Sequence, residues 1–322
     1  MNSLPNTSAG VDKRHSRRGS SARSTEAHNR RWADLVAALP WITPALIMIF
    51  GVVLFPAGLM FYNSTRVISR SGLDKGTAGF GNFAQIFAFP DFGPIVVRTF
   101  VWVILVVVLT VLISLALAQL LYKEFPGRRL VRLAVIVPWA ASVVMTTLVV
   151  YFGLEPYFGI FNKLFIDLGI IHDPAGFGWT KQPETAFLWA IAVAVFVSLP
   201  FTTYTILAGL QTVSVDTLEA AKMDGARPAR IYVNITLPQL RGAISIAILI
   251  NIINVFNSLP ILRTMTNSIP GYDADTIMTM IFKYIQVQGR VDYASALSVI
   301  AFIIVLIVVA LYVRVVKPMK EV

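Results

Sequence analysis

The polar side chains that interrupt the apolar runs of this chain are hydroxyls and amides rather than acids and bases. Asn251, Asn254 and Ser258 stand at i, i+3 and i+7, which brings them to one face of a helix, and Asn257 lies close to that face. Thr147 and Tyr151 are four residues apart, and Ser198 sits just before Pro200, a residue that frees a backbone carbonyl and bends a helix. Such groups exchange hydrogen bonds without carrying charge, so they suit a neutral, hydroxyl-rich molecule in transit. The competing reading is packing, because Ser, Thr and Asn also bridge neighbouring helices in lipid at about 1 kcal/mol each or less. Covalent chemistry has little to work with. There is no cysteine, and the three histidines, His15, His28 and His172, are scattered with no HExxH spacing. No catalytic or metal-binding residue is nominated.

A second constellation is charged. The stretch "EAAKMDGARPARIYVNITLP", Glu219 to Pro238, is the most polar and turn-rich for some distance on either side. Asp216 followed by Glu219 predicts a helix start with Asp216 at the cap and a helix from about Thr217 to Asp224. Gly225 then supplies the left-handed residue that ends it. Pro228 opens a second short helix, and Pro238 is expected to stop that helix before the next apolar run. Ala220 and Ala221 let another backbone approach closely, with Glu219 and Asp224 beside them to set register. On physics alone this hairpin is equally well a docking element or an amphipathic loop on the inner membrane surface.

The elements that must hold these groups follow from hydropathy. Of 322 residues 56% are hydrophobic and only 14% charged, with a mean hydropathy of +0.71; soluble domains run near a quarter charged. Six uncharged apolar segments occur, roughly Leu35–Tyr62, Thr99–Tyr122, Leu133–Leu154, Thr185–Leu210, Gly242–Leu262 and Tyr293–Val313, each about 20 residues or more and so long enough to span a bilayer. The predicted fold is all-α, a polytopic membrane protein of six spans. The first is too long for a signal peptide. With the N-terminus inside, about 18 of the 27 Lys and Arg fall in inner segments, which places both termini and the 211–241 loop in the cytoplasm of a cell-membrane protein. Residues 1–34 read as a disordered basic arm against anionic membrane lipid, and 317–322 as a short tail. The net charge of +10 therefore faces lipid rather than nucleic acid. On the outer side, Ile277, Met280, Ile281, Tyr284 and Ile285 recur at helical spacing and predict an amphipathic helix on the membrane interface. No Asp, Glu, Lys, Arg or His lies within the six segments, which argues against a proton-coupled carrier.

The chain resembles the permease subunits of binding-protein-dependent ABC importers, in the carbohydrate-uptake branch. Glu219-Ala220-Ala221, Gly225, Ile235, Leu237 and Pro238 stand at the spacing of that family's EAA signature. "LPFTTYTILAGLQTVSVDTLEAAKMDGA" upstream, "FGNF" and "DF" after the first segment and "YASALS" entering the last agree with it. The likeness covers roughly 35–316. It implies that 211–241 is a coupling loop seated in a cleft of an ATPase, with Glu219 facing basic residues there. It also implies a homologous second permease, two ATPase subunits that bind ATP and Mg, and an extracytoplasmic solute-binding protein. The absence of any GxxxxGK[ST] run fits a chain without its own ATP site. Two departures stand out: "SIPGYD" replaces the usual Gly-Gly-Pro before the last segment, and Arg98-Thr99 replaces Asn-Thr. The alternatives are an ATP-independent carrier or channel, which the lack of intramembrane charge disfavours, and a membrane enzyme, for which no constellation exists.

Overall fold

The computed structural model describes residues 39–172, 178–267 and 269–316. The basic arm and the short tail lie outside the described residues. Contacts divide the chain into a unit ending at Leu59 and a second from Met60 to Val322. The first helix, α1 (Leu39–Ser64), contains a π-helical stretch at Ile49–Leu54. A two-stranded hairpin follows, β1 (Arg66–Ile68) and β2 (Asp74–Thr77), then α2 (Gly81–Phe87) and α3 (Phe92–Tyr122). Next come α4 (Arg128–Ala140), α5 (Val143–Gly153), α6 (Ile160–Asp167) and α7 (Pro183–Gln211). The remainder is α8 (Val215–Met223), α9 (Pro228–Gln239), α10 (Arg241–Phe256), α11 (Leu259–Thr266), α12 (Ile277–Gln286) and α13 (Val291–Val316).

Among the described residues four helices are long and apolar enough to cross a membrane: α1, α3, α7 and α13. The other two expected spans are broken. The helices α4 and α5 meet at 98°, and α9 and α10 at 65°. The first break follows Pro138, where Ala141 and Ser142 are extended. A proline lacks the N–H for the preceding turn and crowds its carbonyl, so helices bend or stop near it. The same reasoning ends α10 at Phe256: Pro260 cannot bond to the Phe256 carbonyl, and α11 starts anew around it. At 16 residues α10 is about 24 Å long, short of a ~30 Å hydrocarbon core. Two expectations are thereby corrected, since neither Leu133–Leu154 nor Gly242–Leu262 is one continuous helix. Pro200, in contrast, lies inside α7, which continues unbroken to Gln211.

The core forms where α3 packs on α7. Ala190 and Ala194 are buried one turn apart on α7, small enough to admit Trp102, Val103 and Val106 of α3. Polar bonds fix the register. Thr203 Oγ1 and Ser114 Oγ lie 3.2 Å apart between α7 and α3, and Tyr312 Oη donates from α13 to the Ser245 carbonyl of α10 at 3.1 Å. Where α10 stops, its last carbonyls would be orphaned. The Val255 carbonyl accepts from the Ser258 N–H at 3.1 Å and also from Trp102 Nε1 of α3 at 2.9 Å.

Outside the long helices, α12 forms as the helical spacing predicts, with its apolar face turned into the protein. Ile277, Met280 and Tyr284 are buried in the main core, and burial pushes the Tyr284 phenol up to about 12. The two sequence departures meet here. The Arg98 guanidinium donates to the carbonyls of Tyr272 and Asp275 at 3.0 and 2.9 Å, and the Ile277 N–H donates to Thr99 Oγ1 at 3.0 Å. Arg98-Thr99 thus pins the loop that carries "SIPGYD" onto α3. The β-hairpin is tied down separately, through Ile68 N–H to the buried Asp292, itself paired with Arg290 at 2.9 Å. At its open end the Arg66 guanidinium, bonded at 2.8 Å, is the main cause holding the Asp74 carboxyl below its ordinary range.

Candidate functional site

The charged loop is a helix–turn–helix with an exposed first helix. Ser214, not Asp216, caps α8, its side chain accepting from the Thr217 N–H at 3.4 Å. The helix therefore starts two residues earlier than expected, and Asp216 falls in the first turn, where its charge suits the helix dipole. The end is a Schellman turn: Gly225 N–H bonds to the Lys222 carbonyl at 3.0 Å and Ala226 N–H to that of Ala221 at 3.1 Å. Gly225 takes φ +77, the left-handed value glycine adopts without strain. None of the nine residues of α8 is buried. Glu219, Ala220 and Asp224 are exposed, Ala221 half-buried, and Met223 is 88% exposed.

Pro228 begins α9 as expected, but Pro238 does not stop it. The backbone stays helical past Leu237 and Pro238 to Gln239, and the bend to α10 falls at Leu240. Before the proline the turns widen to π-helix over Tyr232–Thr236, with the Leu237 N–H reaching the Tyr232 carbonyl. Widening is one way to absorb a proline without breaking the helix.

Four of the seven pathway candidates line one cavity of 280 Å³ between α4, α5, α7, α10 and α11: Ser198, Asn251, Asn254 and Ser258. Asn251, Asn254 and Ser258 do not share one helical face as expected. Asn251 and Asn254 stand on α10, whereas Ser258 lies in the break beyond it and still reaches the same space. Asn251 is also a bridge, its amide nitrogen donating to Thr202 Oγ1 of α7 and to the Ala247 carbonyl, both at 2.8 Å. Asn254 makes no side-chain hydrogen bond among the described residues. Trp139 and Phe201 face each other across 6.3 Å in the same wall. Neither was nominated from sequence, since aromatic residues in apolar runs carry no distinguishing spacing.

Tyr151 opens onto a second cavity of 490 Å³ with Arg263, Thr264 and Asn267. Two candidates stand apart from both cavities. Thr147 is buried and donates back to the Val143 carbonyl at 2.7 Å, and Asn257 donates to that of Ile253 at 2.8 Å. Arg263 lies one residue past the apolar run that ends at Leu262, and α11 carries it into the cavity wall. The helices extend beyond the uncharged segments in this way elsewhere too, bringing in Arg98 on α3 and Asp292 on α13 among others.

These features define a multi-pass helical membrane protein with a polar cavity among its helices and an exposed helix–turn–helix loop. Residues 110–320 match the binding-protein-dependent transport system inner membrane components, and the chain belongs to that family. It is 33% identical to a probable ABC transporter permease protein of Brucella suis over 85% of this chain and 94% of that one. It is 28% identical to the sulfoquinovosyl glycerol transport system permease protein SmoG of Agrobacterium fabrum, over 89% of this chain and 93% of that one. A crystal structure of a bacterial alginate ABC transporter, in complex with an alginate pentasaccharide-bound periplasmic protein, contains a chain with the same fold. Its TM-score is 0.74 at 20% identity, covering 92% of this chain and 98% of that one.

Proposed function

We propose that the chain is one permease subunit of an ATP-driven importer for a sugar or sugar-like solute, working by alternating access. The observation that carries the reading is α8. A nine-residue helix with no buried face is too short to be stable by itself, so its order calls for a partner. Its signature spacing matches a loop that docks on an ATPase. Glu219, Ala220, Ala221 and Asp224 would form the docked face, Gly225 the hinge, and Leu237 and Pro238 the link to α10. A separate ATPase pair holds ATP and Mg. A homologous second permease completes the channel, and a solute-binding protein delivers from outside. This chain itself catalyses no covalent step, and both termini are cytoplasmic.

The sugar assignment is supported by the solutes named for its relatives and by the first cavity. Asn251, Asn254, Ser198 and Ser258 offer uncharged hydrogen-bonding groups, and Trp139 offers a flat face for a sugar ring. Each conformational state must differ in its ATPase and receptor contacts, or ATP could not shift the population.

Co-expression with the ATPase and second permease should yield a stable complex whose sugar uptake into vesicles requires hydrolysable ATP. Uptake by this chain alone, without ATPase, would overturn the reading. Orientation has its own check. In sealed cells, a cysteine at Gly178 should react with an impermeant thiol reagent and one at Gly127 should not. Equal labelling of both would refute the six-span arrangement.

A further inference from the structure

An exposed cation, Arg263, lines the second cavity and has no counter-ion among the described residues. The Arg263 guanidinium lies 4.0 Å over the Phe282 ring. Among the described residues it donates no hydrogen bond and pairs with no carboxylate. Its neighbours differ. Lys283 pairs with Asp275 at 2.6 Å and Arg290 with Asp292 at 2.9 Å, so those two acids are engaged elsewhere. Arg98 is taken up by two loop carbonyls. Among the described residues Arg263 is also the only charged one lining either of the two cavities.

Stacking uses the flat face of a guanidinium and leaves its N–H edge free. That edge is a rigid fork matched to carboxylate, sulfonate or phosphate oxygens. Because Phe282 already restrains the side chain, little freedom is lost when an anion binds. Tyr151, Thr264 and Asn267 line the same space with hydroxyl and amide groups suited to sugar hydroxyls. The two cavities share α5 and α11 as walls, with Val143 and Ile261 on the first and Val144 and Leu259 on the second.

We infer that the transported solute is an acidic sugar, and that Arg263 holds its anionic group while Tyr151, Thr264 and Asn267 hydrogen-bond the hydroxyls beside it. This rests on the sugar-importer reading and reverses the neutral solute that the uncharged apolar segments suggest. A phospholipid phosphate offers the same chemistry to Arg263, so the test must separate lipid from solute.

The complete importer, reconstituted in proteoliposomes with its binding protein, would be given labelled neutral disaccharides (trehalose, cellobiose) and acidic ones (digalacturonate, a sulfonated sugar glycoside). The expected result is uptake that prefers an acidic probe. In Arg263→Gln the acidic-to-neutral uptake ratio should fall by about tenfold or more, the scale of a lost charge-assisted hydrogen bond. Arg263→Lys, which keeps the charge but not the fork, should recover part of that ratio. Uptake of neutral sugars only, with Arg263→Gln indistinguishable from wild type, overturns the inference and leaves the sugar importer standing. An equal loss for both probe types, or a loss of assembled complex that depends on anionic lipid, assigns Arg263 to lipid and overturns it too. No uptake of any probe, with ATP hydrolysis unresponsive to all of them, removes the sugar reading itself.

Discussion

Gly225→Val is expected to abolish uptake while the permease accumulates at normal abundance. The reason is conformational rather than steric. A Cβ built at Gly225 meets nothing within 4 Å, so there is room for the side chain. The backbone, however, sits at φ +77, where a β-branched residue is a genuine outlier. Strain of this kind costs on the order of 1–3 kcal/mol, and the turn relieves it by leaving the left-handed region. The bonds from Gly225 and Ala226 to Lys222 and Ala221 then fail together, and α8 loses its fixed angle to α9. Nothing in α8 is buried, so folding of the long helices does not depend on it. Gly225→Asn should retain most activity, because asparagine tolerates the left-handed conformation. Glu219→Lys should resemble the valine variant, by placing like charge against a basic partner surface. The measurements are vesicle uptake, ATPase recovered on affinity-purified permease, and receptor-stimulated ATP hydrolysis. Wild-type uptake by Gly225→Val with a full complement of ATPase would show that this hairpin does not couple the two.

Hydropathy located α1, α3, α7 and α13 because each is a long uninterrupted apolar run, and only their ends moved. It missed the broken spans because a bend leaves hydropathy unchanged. Pro138 and Pro260 were the available signals, and only Pro200, which lies within an unbroken helix, was singled out as a bend. The same blindness shaped the site. Placing Asn251, Asn254 and Ser258 on one face assumed a continuous helix. The polypeptide instead breaks at Asn257, which turns its amide back to Ile253 while Ser258 meets the cavity from the connecting segment. Arg263 is hidden from hydropathy for a related reason, since the apolar run ends at Leu262 while α11 continues through it. The Gly225 turn was legible because a left-handed residue closing a helix is a local requirement that tertiary packing rarely overrides. Its start was not, since Ser214 and Asp216 are both good caps and only the backbone path selects between them.

Asn254→Leu and Asn251→Leu should separate transport from packing, although the two residues lie three apart on one helix. Asn251 is 4% exposed and its amide bridges α10 to Thr202 of α7. Leucine there removes the bridge and leaves the Thr202 hydroxyl with only its bond to the Ser198 carbonyl. Interhelical bonds in membranes average about 0.6 kcal/mol and reach about 1.7, so thermal stability and abundance should drop modestly. Asn254 has no such partner, and its amide faces the 280 Å³ cavity beside Ser198 and Ser258. Leucine at this position should leave abundance intact and cut uptake by about tenfold, since a lost solute hydrogen bond of about 1–1.5 kcal/mol corresponds to that factor. The added bulk narrows the same space and acts in the same direction. Uptake per assembled complex, with abundance scored separately, reads the two effects apart. If Asn254→Leu transports at the wild-type rate per complex while Asn251→Leu lowers only abundance, the polar groups are helix glue and the solute takes another route. A loss confined to Asn254→Leu would place the path between α7 and α10. Closure of the ATPases on the α8 docking face could then act on that path through the bend at Leu240, where α9 passes into the helix that carries both asparagines.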